Sequence, residues 1–284
     1  MTRLIAMIDG SIYSKSVCDH AAWVAGRTGA AVEILHVLGR RDVSSEPANL
    51  SGSIGLGART ALLEELTELD AQRAKLAQKR GRVILDEAKA RLQYSGVGEV
   101  VTRLRNGDIV DTATEFAADA DLIVIGKRGE AADFARLHLG SNLERVVRST
   151  HRPVLVASRA FRPIKRFMIA FDGGTSAMKA VDDVARNPLF AGLDCRLLTA
   201  GADTPEARRR LDAAATQLRA ASYAVTADIE PGPADAAIAR RVEADGIDLL
   251  VMGAYGHSRI RNLIIGSTTT QMIRSCMIPV VLFR

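Results

Sequence analysis

Three ordered signals occur twice in this chain, and that duplication limits the fold more than any other feature. Arg3-Leu-Ile-Ala-Met-Ile-Asp9-Gly10 reads as a buried strand closed by an acid and a glycine, and Arg166-Phe-Met-Ile-Ala-Phe-Asp172-Gly173 repeats it. Asp121-Leu-Ile-Val-Ile-Gly126 with Gly129 is matched by Asp248-Leu-Leu-Val-Met-Gly253 with Gly256. Gly140-Ser141, a helix-length stretch and Arg152-Pro153 then match Gly266-Ser267, a similar stretch and Ile278-Pro279. Units longer than a hundred residues are too large for solenoid repeats, so each half is expected to be a domain with its own core. The 284 residues suit two domains, 1–160 and 161–284, meeting at the polar, basic stretch Ser158–Pro163.

Within each half, continuous Val/Ile/Leu runs alternate with helix-period segments, the pattern of a parallel sheet covered on both faces. The strands are expected at Leu4–Ile8, Val32–Val37, Val100–Leu104, Leu122–Ile125 and Val154–Ala157. Their second-half counterparts are Phe167–Phe171, Arg196–Thr199, Ala224–Ile229, Leu249–Met252 and Val280–Phe283. The fold class is therefore α/β, two tandem open parallel sheets with right-handed crossovers. The last strands, Val154–Ala157 and Val280–Phe283, are apolar edges able to pair and join the two sheets. Asp9 and Asp172 lie 163 residues apart but Gly140 and Gly266 only 126, so the first half carries about 37 extra residues. We place them at about 39–95, as a Ser/Gly/Arg-rich loop and a lengthened crossover helix, read as a solvated decoration. The Leu/Ala stripes of the long helices read as core faces and their charge runs as solvated faces.

Composition removes several function classes. Aromatic residues are 4% of the chain, too few for a base-stacking platform, and a net charge of +5 is spread along its length; no nucleic-acid partner is expected. No apolar run is long enough to cross a bilayer and no secretory leader is recognisable, so a cytoplasmic protein without a membrane partner is expected. Cys18, Cys195 and Cys276 give neither a disulfide framework nor a metal-ligand spacing, and the five histidines show none either. His36, in a buried strand, reads as a satisfied core residue. There is no GxxxxGK[ST] phosphate loop, no Rossmann fingerprint and no nucleophile elbow. No catalytic residue is assigned.

In an open parallel sheet, ligands sit beyond the carboxyl ends of the strands. Gly253-x2-Gly256-x9-Gly266-Ser267 falls there in the second half. Gly253 would let the chain turn off its strand, and Gly256 would admit a close backbone approach. Gly266-Ser267-Thr268 opens a helix whose free N–H groups and dipole favour an anion, with the two hydroxyls able to cap it or bond phosphate. His257, Arg259 and Arg261 make the connecting stretch basic, and Asp172 could accept from a ribose hydroxyl or a base. The same residues also serve as ordinary punctuation in α/β chains, and Asp172 could simply cap the next turn. The joint spacing and the basic connection favour the anion site. Arg208-Arg209-Arg210 reads as surface charge on a helix.

On this motif the whole chain resembles the universal stress protein family in its tandem form. The resemblance implies five-stranded parallel sheets in the order 3-2-1-4-5 and a nucleotide site between strands one and four. It implies ATP or a related adenine nucleotide, with or without Mg, with Asp172 on the nucleoside. Ala170, Phe171, Ala200 and Met252 would line the adenine pocket. The first half departs from the motif: ten residues, not nine, separate Gly129 from Gly140, Glu130 and Asp133 enter the connection, and Asn142 follows Ser141. A weaker site at Asp9, Gly126, Gly129, Gly140 and Ser141 is expected there, with Lys127, Arg128 and Arg136 attracting phosphates. The resemblance further implies an intramolecular pseudo-dimer, compatible with a homodimer, and an unidentified protein partner. Hydrolysis, if any, would be slow. Two functions stay open: a nucleotide-dependent switch, or an interaction module of the same fold that binds no nucleotide.

Overall fold

The computed structural model describes residues 1–39, 56–127, 141–254 and 267–284, without the side chains of 56–59, 61, 141, 267 and 268. In the first half, β1 (Arg3–Ile8), α1 (Ser14–Thr28), β2 (Ala31–Leu38), α2 (Leu56–Tyr94) and β3 (Val100–Asn106) are followed by α3 (Ile109–Ala117), β4 (Leu122–Gly126), α4 (Ser141–Ser149) and β5 (Val154–Ala157). The second half runs β6 (Arg166–Ala170), α5 (Thr175–Arg186), a 3₁₀ turn (Pro188–Phe190), β7 (Asp194–Ala200), α6 (Pro205–Ala220) and β8 (Val225–Glu230). It closes with α7 (Ala234–Ala244), β9 (Leu249–Gly253), α8 (Ser267–Ser275) and β10 (Val280–Phe283).

The strands form one ten-stranded sheet ordered β3-β2-β1-β4-β5-β10-β9-β6-β7-β8. Each half has the expected 3-2-1-4-5 order and is parallel throughout. The two expected sheets are thus halves of one. They are joined by the antiparallel pair β5–β10, with Leu155 opposite Val281. Because the joint reverses strand direction, the carboxyl ends of the two halves point opposite ways.

The apolar clusters lie one on each face of the sheet, each with residues from both halves. One cluster joins α1, α2, α5 and α6 to residues such as Leu4, Ala6, Phe167 and Ile169. The other joins α3, α4, α7 and α8 to Ile5, Met7, Met168 and Leu250. Period-two alternation in the strands sends neighbouring residues to opposite faces, and right-handed crossovers put helices leading away from the centre on one face and returning helices on the other. The 3₁₀ turn is tied to α1 of the other half, where the Arg27 guanidinium donates to Leu189 O at 2.6 Å and also to Ala191 O.

The lengthened crossover is a helix, α2, but its Leu stripe is not all core. Leu85, Ala88 and Leu92 are buried, whereas Leu63, Leu69, Leu76 and Val83 are exposed. Among the described residues no helix is long and apolar enough to cross a membrane.

Candidate functional site

Strand order reverses between β6 and β9, since α5 carries the chain from β6 to one side and α8 carries it from β9 to the other. Two features meet at this point, the turn after β6 and the start of α8. Phe171 prolongs the β6 ladder by donating its N–H to Leu198 O at 2.8 Å. Asp172 follows, exposed, and its Oδ1 accepts the Gly174 N–H at 2.8 Å. The carboxylate does cap the next turn, through one oxygen. Gly173 sits in the left-handed region at φ +73°, which glycine adopts without strain.

A cleft of about 350 Å³ opens beside this turn. Its floor is Phe171, Asp172, Gly173 and Thr199, and its far wall is the first turns of α6, with Thr204, Glu206, Ala207 and Arg210. Thr199 donates its hydroxyl to Phe171 O at 2.9 Å, steadying the strand ends. Thr204 caps α6 by accepting the Ala207 N–H at 3.1 Å, with Pro205 next at the helix start. The Arg210 side chain lies over Gly173: its Cδ would stand 3.1 Å from a Cβ placed there. Its guanidinium pairs with Glu206. Arg210 therefore belongs to the cleft and is not mere surface charge. Its sequence signal was its place one helical turn behind Ala207 on the helix that follows strand two, legible only once that helix is known to lean over the Asp172 turn.

At β9, Gly253 is needed for a reason other than turning. Its φ is not in the left-handed region, but a Cβ there would meet Ser176 Cβ at 2.9 Å and the Ala177 backbone N at 3.2 Å. The strand end lies directly against the first turn of α5, and only glycine leaves room. Thr269, 3% exposed on the first turns of α8, has its hydroxyl 3.3 Å from Gly253 O and 3.4 Å from Ala254 O. That contact moors the start of α8 beside the end of β9.

The expected pocket residues separate by face. Ala170 and Met252 are register partners and both pack with the α7/α8 cluster; Ala200 shares their parity. Phe171 belongs to the opposite cluster, on the cleft side. The structure thus brings Asp172 and Phe171 together in the cleft and places Ala170, Ala200 and Met252 on the far side of the sheet end. Gly256, His257 and Gly266 lie outside the described residues, as do Gly129 and Gly140. Ser267 and Ser141 begin α8 and α4, and Thr268 is the second residue of α8.

The first half repeats the turn with different lining. Asp9 Oδ1 accepts the Ser11 N–H at 3.0 Å, and Gly10 is left-handed at φ +77°. Buried His36, 27 residues after Asp9 as Thr199 is after Asp172, donates Nδ1–H to Ile8 O at 2.8 Å. It is the satisfied core histidine expected. Where Arg210 covers Gly173, however, Ile84 of α2 covers Gly10, its Cδ1 only 2.6 Å from a Cβ placed there. Gly81, one turn earlier, lies so near Leu104 and His36 that a Cβ would stand 2.7 and 3.1 Å from them. Gly126 ends β4 as Gly253 ends β9. Lys127 does not point its charge at a phosphate site: its ammonium donates to Arg274 O at 2.8 Å and Cys276 O at 2.9 Å, at the carboxyl end of α8.

Comparison with known proteins agrees with this architecture. The model of the universal stress protein family matches twice, over residues 1–158 and 163–284. Universal stress protein Slr1230 from Synechocystis is 39% identical over 287 residues, spanning all of both chains. Universal stress protein MT2052 from Mycobacterium tuberculosis is 24% identical over 99% of this chain and 94% of its own length. A solved universal stress protein from Archaeoglobus fulgidus superposes with a TM-score of 0.74 at 19% identity, covering 99% of this chain and 96% of that one. With its two halves each matched and its sheet order repeated about the β5–β10 joint, the chain belongs to the universal stress protein family, in a tandem form.

Proposed function

We propose that this chain binds ATP or a related adenine nucleotide in its second half, and that binding acts as a stress-responsive switch. The observation that carries the reading is the cleft beside Asp172, at the point where strand order reverses. Its volume falls within the ordinary range for small-molecule sites. The residues there suit a nucleotide. Asp172 offers a carboxylate to sugar or base donors and Arg210, paired with Glu206, a cation; beyond the cleft, at the neighbouring strand end, the start of α8, moored by Thr269, offers helix N–H groups for phosphate. Among the described residues no group of three or more His, Cys, Asp or Glu could hold a metal.

Nucleotide occupancy would favour one arrangement of the segment between β9 and α8 and so alter the surface shown to a protein partner. Titration calorimetry of ATP into the whole chain, Gly256→Val and Ser267→Ala tests the site. Each variant is expected to lose at least tenfold in affinity, about 1.4 kcal/mol. Unchanged affinity in both would remove the site. In the first half, Ile84 over Gly10 favours the second reading, an interaction surface without nucleotide.

A further inference from the structure

The helices that lean over the two first-strand turns are equivalent by count as well as by place. Gly81 and Ile84 of α2 each stand 126 residues before Ala207 and Arg210 of α6, the same separation as Gly140 from Gly266. At these shared positions the halves diverge twice. Gly81 lets α2 press onto the strands, since a Cβ there would stand 2.7 Å from Leu104 and 3.1 Å from His36. Ala207 carries its Cβ and faces the cleft, so α6 stands off the sheet where α2 closes on it. One turn on, Ile84 brings three carbons within 4.0 Å of a Cβ placed on Gly10. Arg210 instead passes its stem over Gly173 and carries its guanidinium along the cleft wall.

The Arg210 guanidinium donates through Nη2 to Glu206, one turn earlier on the same helix, and both side chains are exposed. A pair in that setting adds little stability, but it keeps the guanidinium at the cleft and leaves further N–H groups of the five-donor fork for a ligand. A nucleotide on Asp172 would thus meet an acceptor on the floor and a charged donor on the wall. Ile84 has no donor, and its carbons take up the corresponding space over Gly10. Arg80 stands where Glu206 stands in the second half, so the pair itself has no counterpart. On the nucleotide reading already given, we propose that this helix position selects between the halves. Arg210 admits the nucleotide to the second half, Ile84 on its closer helix shuts it out of the first, and the chain takes one nucleotide rather than two.

Equilibrium dialysis with ATP, and peptide mapping after photolabelling with 8-azido-ATP, test this on the full chain. The unaltered chain should bind one ATP and carry label only within residues 161–284. Arg210→Ile should bind about tenfold more weakly, the loss of a charge-assisted hydrogen bond, whereas Arg210→Lys, which keeps the charge, should lose only about threefold. Both should unfold at the wild-type temperature, because the Arg210 side chain is half-exposed. Ile84→Ala should bring label into residues 1–160 and raise the stoichiometry to two. Arg80→Glu with Ile84→Arg, which builds the pair of the second half into the first, should do the same and serves if Ile84→Ala fails to fold. No binding by the unaltered chain would remove the nucleotide and its selection together. One ATP per chain with Arg210→Ile unimpaired would overturn the selection alone. So would label in residues 1–160 of the unaltered chain, or none there in either folded Ile84 variant.

Discussion

Gly253 shows how packing, rather than a turn, can require glycine at a strand end. Strand-end glycines are usually read as turn-formers, yet this one is held to glycine by the backbone of α5 pressed against it. Gly253→Ala is expected to destabilise the chain by about 1–3 kcal/mol through overpacking, measured by urea unfolding. Wild-type stability in that variant would mean that α5 can retreat at little cost. His20 makes a second residue-scale case. It is fully buried, donates Nδ1–H to Ser16 O at 2.7 Å, meets the Phe161 ring edge-on at 5.1 Å and leaves Nε2 without a partner. Burial lowers its pKa below 6.5, only partly opposed by the Ser16 carbonyl and by Asp19. Below pH 6.5 the unfolded chain takes up a proton that the folded one refuses. Stability should therefore fall as pH drops below that value, by at most about 1.4 kcal/mol per pH unit, and be unaffected above it. His20→Leu should flatten this acid slope in unfolding titrations; an unaltered slope would assign it to other groups.

At the scale of elements, the two halves differ most in the helix between strands two and three. Both α2 and α6 lean over the glycine that follows the first-strand Asp, but α2 presents Ile84 there and α6 presents Arg210. One substitution in kind turns a cleft wall that can meet an anionic ligand into an apolar contact. The halves are also tied through helix ends. Lys127, leaving β4, holds the carboxyl end of α8, where the helix dipole favours a cation, and Arg284, after β10, donates to Arg148 O at the end of α4. Lys127→Met should cost about 0.3–1 kcal/mol, seen as a fall of a few degrees in the midpoint of thermal unfolding. No change would mean that the ammonium gains as much from water as from the two carbonyls.

At the scale of the molecule, strand identity within each half was legible because buried parallel strands read as continuous apolar runs and the second half repeats the first, whereas the 3-2-1-4-5 order was expected only from the family resemblance. The Asp172 turn and the α8 start were legible because each combines a backbone need with a polar side chain. Arg210 was not, since nothing local separates a charged residue on a solvated face from one leaning over a turn more than thirty residues away. Nor was the exposure of Leu69 and Leu76, whose spacing matches that of a buried stripe. The sequence by itself determined what local chemistry encodes: the duplication, the α/β alternation, the strand-end acids and glycines. Only the tertiary structure decided that one sheet serves both halves, which helix covers each turn, and where a leucine stripe runs out of sheet to cover. Those outcomes depend on contacts between segments far apart in the chain, whose distances no local pattern carries.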